Sequence, residues 1–493
     1  MPRISYRFCV LLSLVLICGP AARAQQQQQP PQQPTQQQQQ PQQAQDQSTQ
    51  PIPAYHSPLA GLANGGNAQE GDQNPEALSP DKRSLAGAQD LALGVPREEH
   101  SFWEPNFTAS STADSNPLSA TTATGWATYT TLLGGIDIHR ISEKSDLSVN
   151  YLGGGMISND PGVGNAVIQD LAFDETLTLH RSTLTFLDQG SYIPDTGFGF
   201  TGTGLLGGNL GLQGGFAPEQ SILTSRGQRL VNTSIAQVDV YLTPRTSLTF
   251  VGGYTLLHFF GTDLLNFGDS IFQAGYNYQL TRQDTIAVLY NFSAFRFSGE
   301  SINDNRVNLS YGRRVTGRMA FQVAAGPEVT SIQVSPSAGS GGATGGGGVL
   351  SPTTGAYWSL NSGLTYQLQR AVLGLTYFHG VNGGSGVLPG AVGDTVLGSA
   401  NRQLSRTLGG GVRFGYSRNS GITSSSSGQS YDYWFGGASL NHPWGRSLNL
   451  ALSYQVQYQN SSSAYCIGPT CGDSTVRHII SVSLVWHEHP FAF

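Results

Sequence analysis

From Ser447 to Gln459 the chain reads SLNLALSYQVQYQ and alternates without an error. Leu448, Leu450, Leu452, Tyr454, Val456 and Tyr458 fall on one side; Asn449, Ala451, Ser453, Gln455, Gln457 and Gln459 fall on the other. A period of two is that of a β-strand. Length narrows the choice further, because soluble strands usually stop near ~5 or 6 residues while ~9 to 11 tilted residues cross a bilayer. A strand in hydrocarbon has no water to satisfy its backbone, so both its edges must be paired. One such strand therefore requires a closed cylinder of many more.

Composition agrees. Only 11% of the 493 residues are charged and 63 are Gly, which is poor material for a soluble surface. No run of about 20 apolar residues follows the N-terminus, so a helical membrane protein is excluded. Alternation can hide a membrane surface inside a mildly negative mean hydropathy. A net charge of −6 over this length is too weak to argue for nucleic acid or any other strongly charged partner, and no nucleic acid is expected.

Residues 1–24 have the form of a secretory signal. Arg3 and Arg7 precede an apolar core from Phe8 to Cys18, and Ala22-Arg23-Ala24 supplies a cleavage site after Ala24. Lipidation at Cys18 is disfavoured by Ile17, which stands where a small residue is needed. Export removes Cys9 and Cys18 and leaves Cys466 and Cys471 for an oxidising compartment. Residues 25–102 are rich in Gln and Pro, then in Gln, Asn, Gly and Ser, and cannot bury enough apolar surface to fold. They are expected to be a disordered periplasmic tether, with a segment that binds peptidoglycan or another periplasmic partner as the alternative. A folded plug is not expected there.

From 103 to 493 strand patterns recur every twenty-odd residues, giving an all-β chain: a transmembrane, antiparallel, up-and-down barrel of about 18 strands (about 16–18). Short connections, most carrying Arg (Arg140, Arg181, Arg245, Arg282, Arg318, Arg370, Arg406, Arg446), alternate with long Gly- and Ser-rich ones. Outer-membrane barrels have short periplasmic turns and longer external loops, which fixes the orientation and puts both ends in the periplasm. The turn arginines are either solvated or anchored to inner-leaflet phosphates. Glu175 interrupts a lipid face between Phe173 and Leu177, and is expected near an interface.

The weakest strand pattern, NFTASSTADS, ends in Asp114-Ser115-Asn116 followed by Pro117-Leu118. With this Asp-x-Asn ending, the stretch from Phe107 to Phe493 resembles beta-barrel porin families of Gram-negative-type outer membranes. That resemblance implies a cell outer membrane location, a lipid and lipopolysaccharide-type surround and delivery by the barrel assembly machinery. Some members accompany exopolysaccharide production, which implies an accessory role in polysaccharide export as the alternative function. The assembly signal of many barrels is a terminal Phe; here Pro490 interrupts the last strand, and Phe493 is out of phase with Val482, Leu484 and Trp486.

Parity places Gln237, Asp239, Gln273, Asn277, Asn308, Asn361, Gln367, Arg413, Asn449, Gln455 and Gln457 toward the lumen. Amides dominate this set, which suits small hydrophilic solutes with little ion selectivity, since strong selectivity uses rings of charge. Tyr241 and Tyr357 share that parity and could stack sugars, or serve as girdle and loop packing. The longest insertion, with Gly197, Leu205, Leu210 and Gly227, would narrow the channel if it entered the lumen and would be a surface loop if it did not. No enzyme is expected. His379-Gly-Val-Asn382-Gly383 resembles the His-x-Ser-Asn-Gly motif of outer-membrane phospholipases, but Val381 stands where the nucleophile is required. His478, His487, Glu488 and His489 are too tightly spaced for a metal site, and neither metal nor cofactor is expected. Cys466 and Cys471, in CIGPTC, are expected to form a loop-stiffening disulfide. The function that follows is a passive pore for small hydrophilic solutes, with a surface scaffold or adhesin as a further alternative.

Overall fold

The computed structural model of the chain describes residues 84–88, 100–116, 125–159, 165–193, 228–260, 265–297, 299–315, 317–334, 353–384, 387–445, 447–464, 466–467 and 470–492. The expected signal sequence, the rest of the expected tether and the 197–227 insertion lie outside these residues.

Long strands follow one another as β1 (Phe102–Asp114), β2 (Ala127–Ile141), β3 (Ser145–Ser158), β4 (Ala166–Thr178), β5 (Ser182–Ile193) and β6 (Arg229–Thr243). Next come β7 (Thr246–Phe259), β8 (Phe267–Gln279), β9 (Asp284–Phe297), β10 (Glu300–Val315), β11 (Met319–Val334) and β12 (Thr353–Gln367). The series ends with β13 (Ala371–Asn382), β14 (Ala391–Gln403), β15 (Gly409–Gly421), β16 (Ser430–Pro443), β17 (Leu448–Ser461), a small ribbon of β18 (Cys466–Ile467) and β19 (Thr470–Cys471), β20 (Ser474–His487) and a short β21 (Phe491–Ala492). Each long strand pairs antiparallel with its sequence neighbours, and β1 pairs with β2 on one edge and β20 on the other. The sheet is thus a closed 18-strand barrel, as the alternation predicts, and closure leaves no strand edge in the membrane.

The two faces separate as the period demands. On β8, Phe272 and Tyr276 are exposed outward, while Asp269, Gln273 and Asn277 are buried on the inner face. β17 repeats the arrangement: Leu450, Leu452, Tyr454 and Tyr458 point out and Gln455, Gln457 and Gln459 point in. Glu175 sits near the turn end of β4 opposite Leu147, and Ser145 Oγ donates to its Oε1 at 3.4 Å. A hydrogen-bonded carboxylate close to the interface costs less than one at mid-membrane.

The seam between the first and last long strands explains the Asp-x-Asn ending of β1. Asp114 and Arg477 are both fully buried, and Arg477 Nε donates to the two Asp114 oxygens at 3.1 and 2.9 Å while its Nη2 also contacts Oδ2. Ser115 exchanges hydrogen bonds with the backbone of His478, its N–H donating to the carbonyl and its Oγ accepting from the amide, each at 2.9 Å. Asn116 Nδ2 donates to the carbonyl of Val476 at 3.2 Å. β1 has few large side chains with which to hold the seam, and these polar contacts clasp its end.

At the other end of the seam Pro490 breaks the strand after His487, and the chain then returns to β1 as β21. The pairing is Asn106↔His487 before the break and Phe102↔Ala492 after it, so one extra residue has entered the last strand. A one-residue slip exchanges the faces of a strand. Phe491, which lies inward by unbroken parity, is instead exposed and stacks on Trp103 with ring centroids 4.5 Å apart. The insertion corrects the phase of this terminal segment.

Candidate functional site in the barrel interior

On β6 to β9 the residues picked out by parity fall into two hydrogen-bonded groups. Gln237 Nε2 donates to Asp239 Oδ2 at 2.6 Å, and Thr249 Oγ1 donates to Asp239 Oδ1 at 2.6 Å. Asn277 Nδ2 donates to Thr249 Oγ1 at 3.0 Å, and Asn291 Nδ2 donates to Gln273 Oε1 at 3.0 Å. Farther round, Ser359 Oγ donates to Asn308 Oδ1 at 2.8 Å, and Gln455 and Gln457 are fully buried. Asn361, Gln367, Arg413 and Asn449 are half-buried at the same parity on their strands. Tyr357 packs with the interior, whereas Tyr241 is exposed at a register shift near the end of β6.

Charge is more prominent inside than the amide count suggests. Arg306 Nε lies 2.5 Å from Asp304 Oδ2 and 2.7 Å from Glu328 Oε1, and all three side chains are fully buried. Asp269 on β8 is buried on the same inner face. The signal for these residues was present in the sequence: Asp304 and Arg306 share the parity of Asn308 on β10.

This charged group holds a piece of chain that leaves the wall. The pairing of β13 with β12 ends at Leu360↔His379, while its pairing with β14 runs on to Asn382↔Ala391. Past His379 the strand bends inward, and the Val381 amide donates to Glu328 Oε1 and Oε2 at 3.1 and 3.2 Å. The Val381 carbonyl accepts from Arg306 Nη2 at 3.1 Å. Its side chain joins a buried apolar cluster with Leu257, Phe267, Phe295 and Ile302. Beyond it, Leu388 is buried among Ala391, Tyr431, Tyr433 and Phe435. Gly390 has φ +84°, and a Cβ there would overlap the Ile302 side chain on β10. The described parts of the connection from β13 to β14, residues 383–384 and 387–390, and the end of β13 therefore lie inside the wall. The expected constriction at 197–227 lies outside the described residues, and this inward segment was not expected, because its sequence differs little from a surface loop. Val381, noted as the residue that denies His379 a nucleophile, is the anchor of this inward segment.

A second segment lies against the inner wall. Residues 84–88, within the stretch expected to be a tether, pack inside the barrel with Ala86 and Ala88 fully buried. Ala86 N–H donates to Asn277 Oδ1 at 2.8 Å, Ala88 N–H donates to Gln237 Oε1 at 2.7 Å, and Gln273 Nε2 donates to the Ala86 carbonyl at 2.5 Å.

A closed 18-strand wall, apolar outside and hydrogen-bonded and charged inside, defines a transmembrane β-barrel of the outer-membrane type. No protein-family model matches the chain, and no curated protein does. Among solved structures it is similar to OccK2 (OpdF) of Pseudomonas aeruginosa at 10% identity and a TM-score of 0.41, over 78% of this chain and 98% of that one. It is also similar to a BenF-like porin of Pseudomonas fluorescens at 12% identity and a TM-score of 0.40, over 79% and 99% of the two chains. The outer membrane protein opdK of Pseudomonas aeruginosa matches at 10% identity and a TM-score of 0.38, over 78% and 99%.

Proposed function

We propose that the barrel is an outer-membrane channel for passive diffusion of small hydrophilic solutes. The observation that carries this reading is the division of the wall: the face turned away from lipid bears a continuous set of amide, hydroxyl and charged groups on a barrel of porin size. The inward segment at Val381 supports selection by size, since it narrows the bore where Arg306, Asp304 and Glu328 concentrate charge. In this reading residues 1–24 direct export and are removed after Ala24. Purified protein in a planar bilayer is expected to give discrete conductance steps, and proteoliposomes are expected to swell in small sugars but not in large ones. Closed bilayers and no swelling would remove the pore reading and favour a scaffold. Glu328→Gln keeps the shape of the side chain but weakens its hold on Val381 and Arg306, and is expected to give larger and noisier steps than the parent.

The same reading includes a disulfide in the last external loop. Cys466 and Cys471 are opposed in the β18–β19 ribbon. Directly opposed antiparallel residues have Cα atoms ~4.5–5.5 Å apart, inside the range a disulfide spans. Both cysteines are expected to take up an alkylating reagent only after reduction of the mature protein, as read by mass. Labelling without reductant would rule the bridge out.

A further inference from the structure

The seat of residues 84–88 is built on both sides. Ser84 to Gly87 form a turn, with the Gly87 amide donating to the Ser84 carbonyl at 3.1 Å. The amides of Ala86 and Ala88 and the Ala86 carbonyl are all satisfied by Asn277, Gln237 and Gln273. Buried backbone groups require such partners, and here they come from wall residues up to 191 positions away. The apolar contacts are as specific. Ala88 packs with Leu187, Ile235, Val251 and Ile271, and Leu85 and Ala86 pack with Ala287, Leu289 and Ala324.

Two glycines make the fit possible. A Cβ on Gly275 would collide with the methyl of Ala86, so the missing side chain on β8 is the pit that receives it. A Cβ on Gly87 would lie 2.8 Å from Gln237 Nε2 and 2.9 Å from Ser84 Oγ, so a side chain there would push Gln237 out of its hydrogen-bonded position. Neither glycine has a positive φ, so space rather than backbone conformation is what they supply.

We propose that Gln237, Gln273, Asn277 and the pit at Gly275 form a peptide-binding subsite on the lumen wall, that Ser84–Ala88 is its tethered occupant, and that short peptides with the same donor and acceptor pattern compete for it. Occupancy partly fills the bore, an effect that rests on the pore reading; the binding itself does not. Tethering supplies an effective concentration on the order of millimolar, so the segment stays seated although its contacts are few. Carboxamides suit this task because each presents a donor and an acceptor to a peptide group without the desolvation cost of a charge.

The test uses the full chain, a variant lacking residues 84–88, and that variant carrying Gly275→Val. The probe is the synthetic peptide acetyl-Ser-Leu-Ala-Gly-Ala-amide, fluorescently labelled for binding in detergent and unlabelled in bilayers. The deletion variant is expected to bind the labelled peptide saturably, at a dissociation constant well below the ~millimolar effective concentration of the tethered segment. The full chain and the Gly275→Val form are expected not to bind it. In bilayers the deletion is expected to raise conductance, and the peptide to lower it again. Because Gly275→Val alters the wall, Gly87→Val in the full chain is the second variant: it leaves the barrel untouched, and is expected to raise conductance and admit the peptide. Equal binding by all forms, or none by the deletion variant, overturns the subsite. Saturable binding with no conductance in any form supports the subsite and removes the pore reading alone.

Discussion

Asp114→Ala is expected to lower the unfolding free energy of the barrel by about 3–5 kcal/mol, the cost of leaving a buried guanidinium without its carboxylate. Arg477 has no exposed surface and donates its Nε–H to the Asp114 carboxylate, so the variant cannot relax by turning the cation to water. The position amplifies the effect, because the pair joins the first and last long strands of the sheet. The remainder of the clasp, Ser115 and Asn116 on the β20 backbone, is expected to persist and keep the seam closed in the absence of denaturant. Urea titration of folded protein in lipid vesicles measures the loss, and retention of a compact, heat-modifiable form on gels checks closure. Replacing both partners by apolar residues of similar volume, Asp114→Leu with Arg477→Met, is expected to recover most of the stability, since a buried pair removed together leaves no stranded charge. A single Asp114→Ala variant as stable as the parent would refute the clasp.

Arg306→Met is expected to cost about the same, ~3–5 kcal/mol, because it leaves Asp304 and Glu328 buried beside each other without a cation. It also carries a functional readout that Asp114 lacks. The guanidinium holds the Val381 carbonyl, so its loss is expected to free the inward segment and enlarge the conductance steps. The uncompensated carboxylates are expected to shift the reversal potential in a salt gradient toward cation selectivity. Larger steps without a selectivity shift would mean that the charged group acts only as a latch. Unchanged steps would mean that Glu328 and the apolar cluster hold Val381 without the cation.

The alternation of side chains made the wall legible in the sequence. A residue on a strand faces lipid or lumen by parity alone, and parity is local, so Gln273, Asn277, Gln455 and Gln457 could be placed inward from their immediate neighbours. Strand number, antiparallel order and the short connections followed for the same reason. Parity does not show what an inward residue touches. The amides were readable as lining and not as a seat for residues 84–88, because that contact joins Ala86 to a partner 191 positions away and is signalled only by two small glycines.

The wall follows from the chain alone: a period of two, sustained at membrane length, forces strands with one oily face and one wet face, and hydrocarbon forces their closure. The places where the chain leaves that pattern emerge from the folded barrel. The Asp114–Arg477 clasp spans 363 positions, the inward bend at Val381 depends on charges from β10 and β11, and the extra residue before Phe491 shows only against its partner strand. Each depends on groups far apart in the chain and adjacent in space, and no local periodicity carries that information.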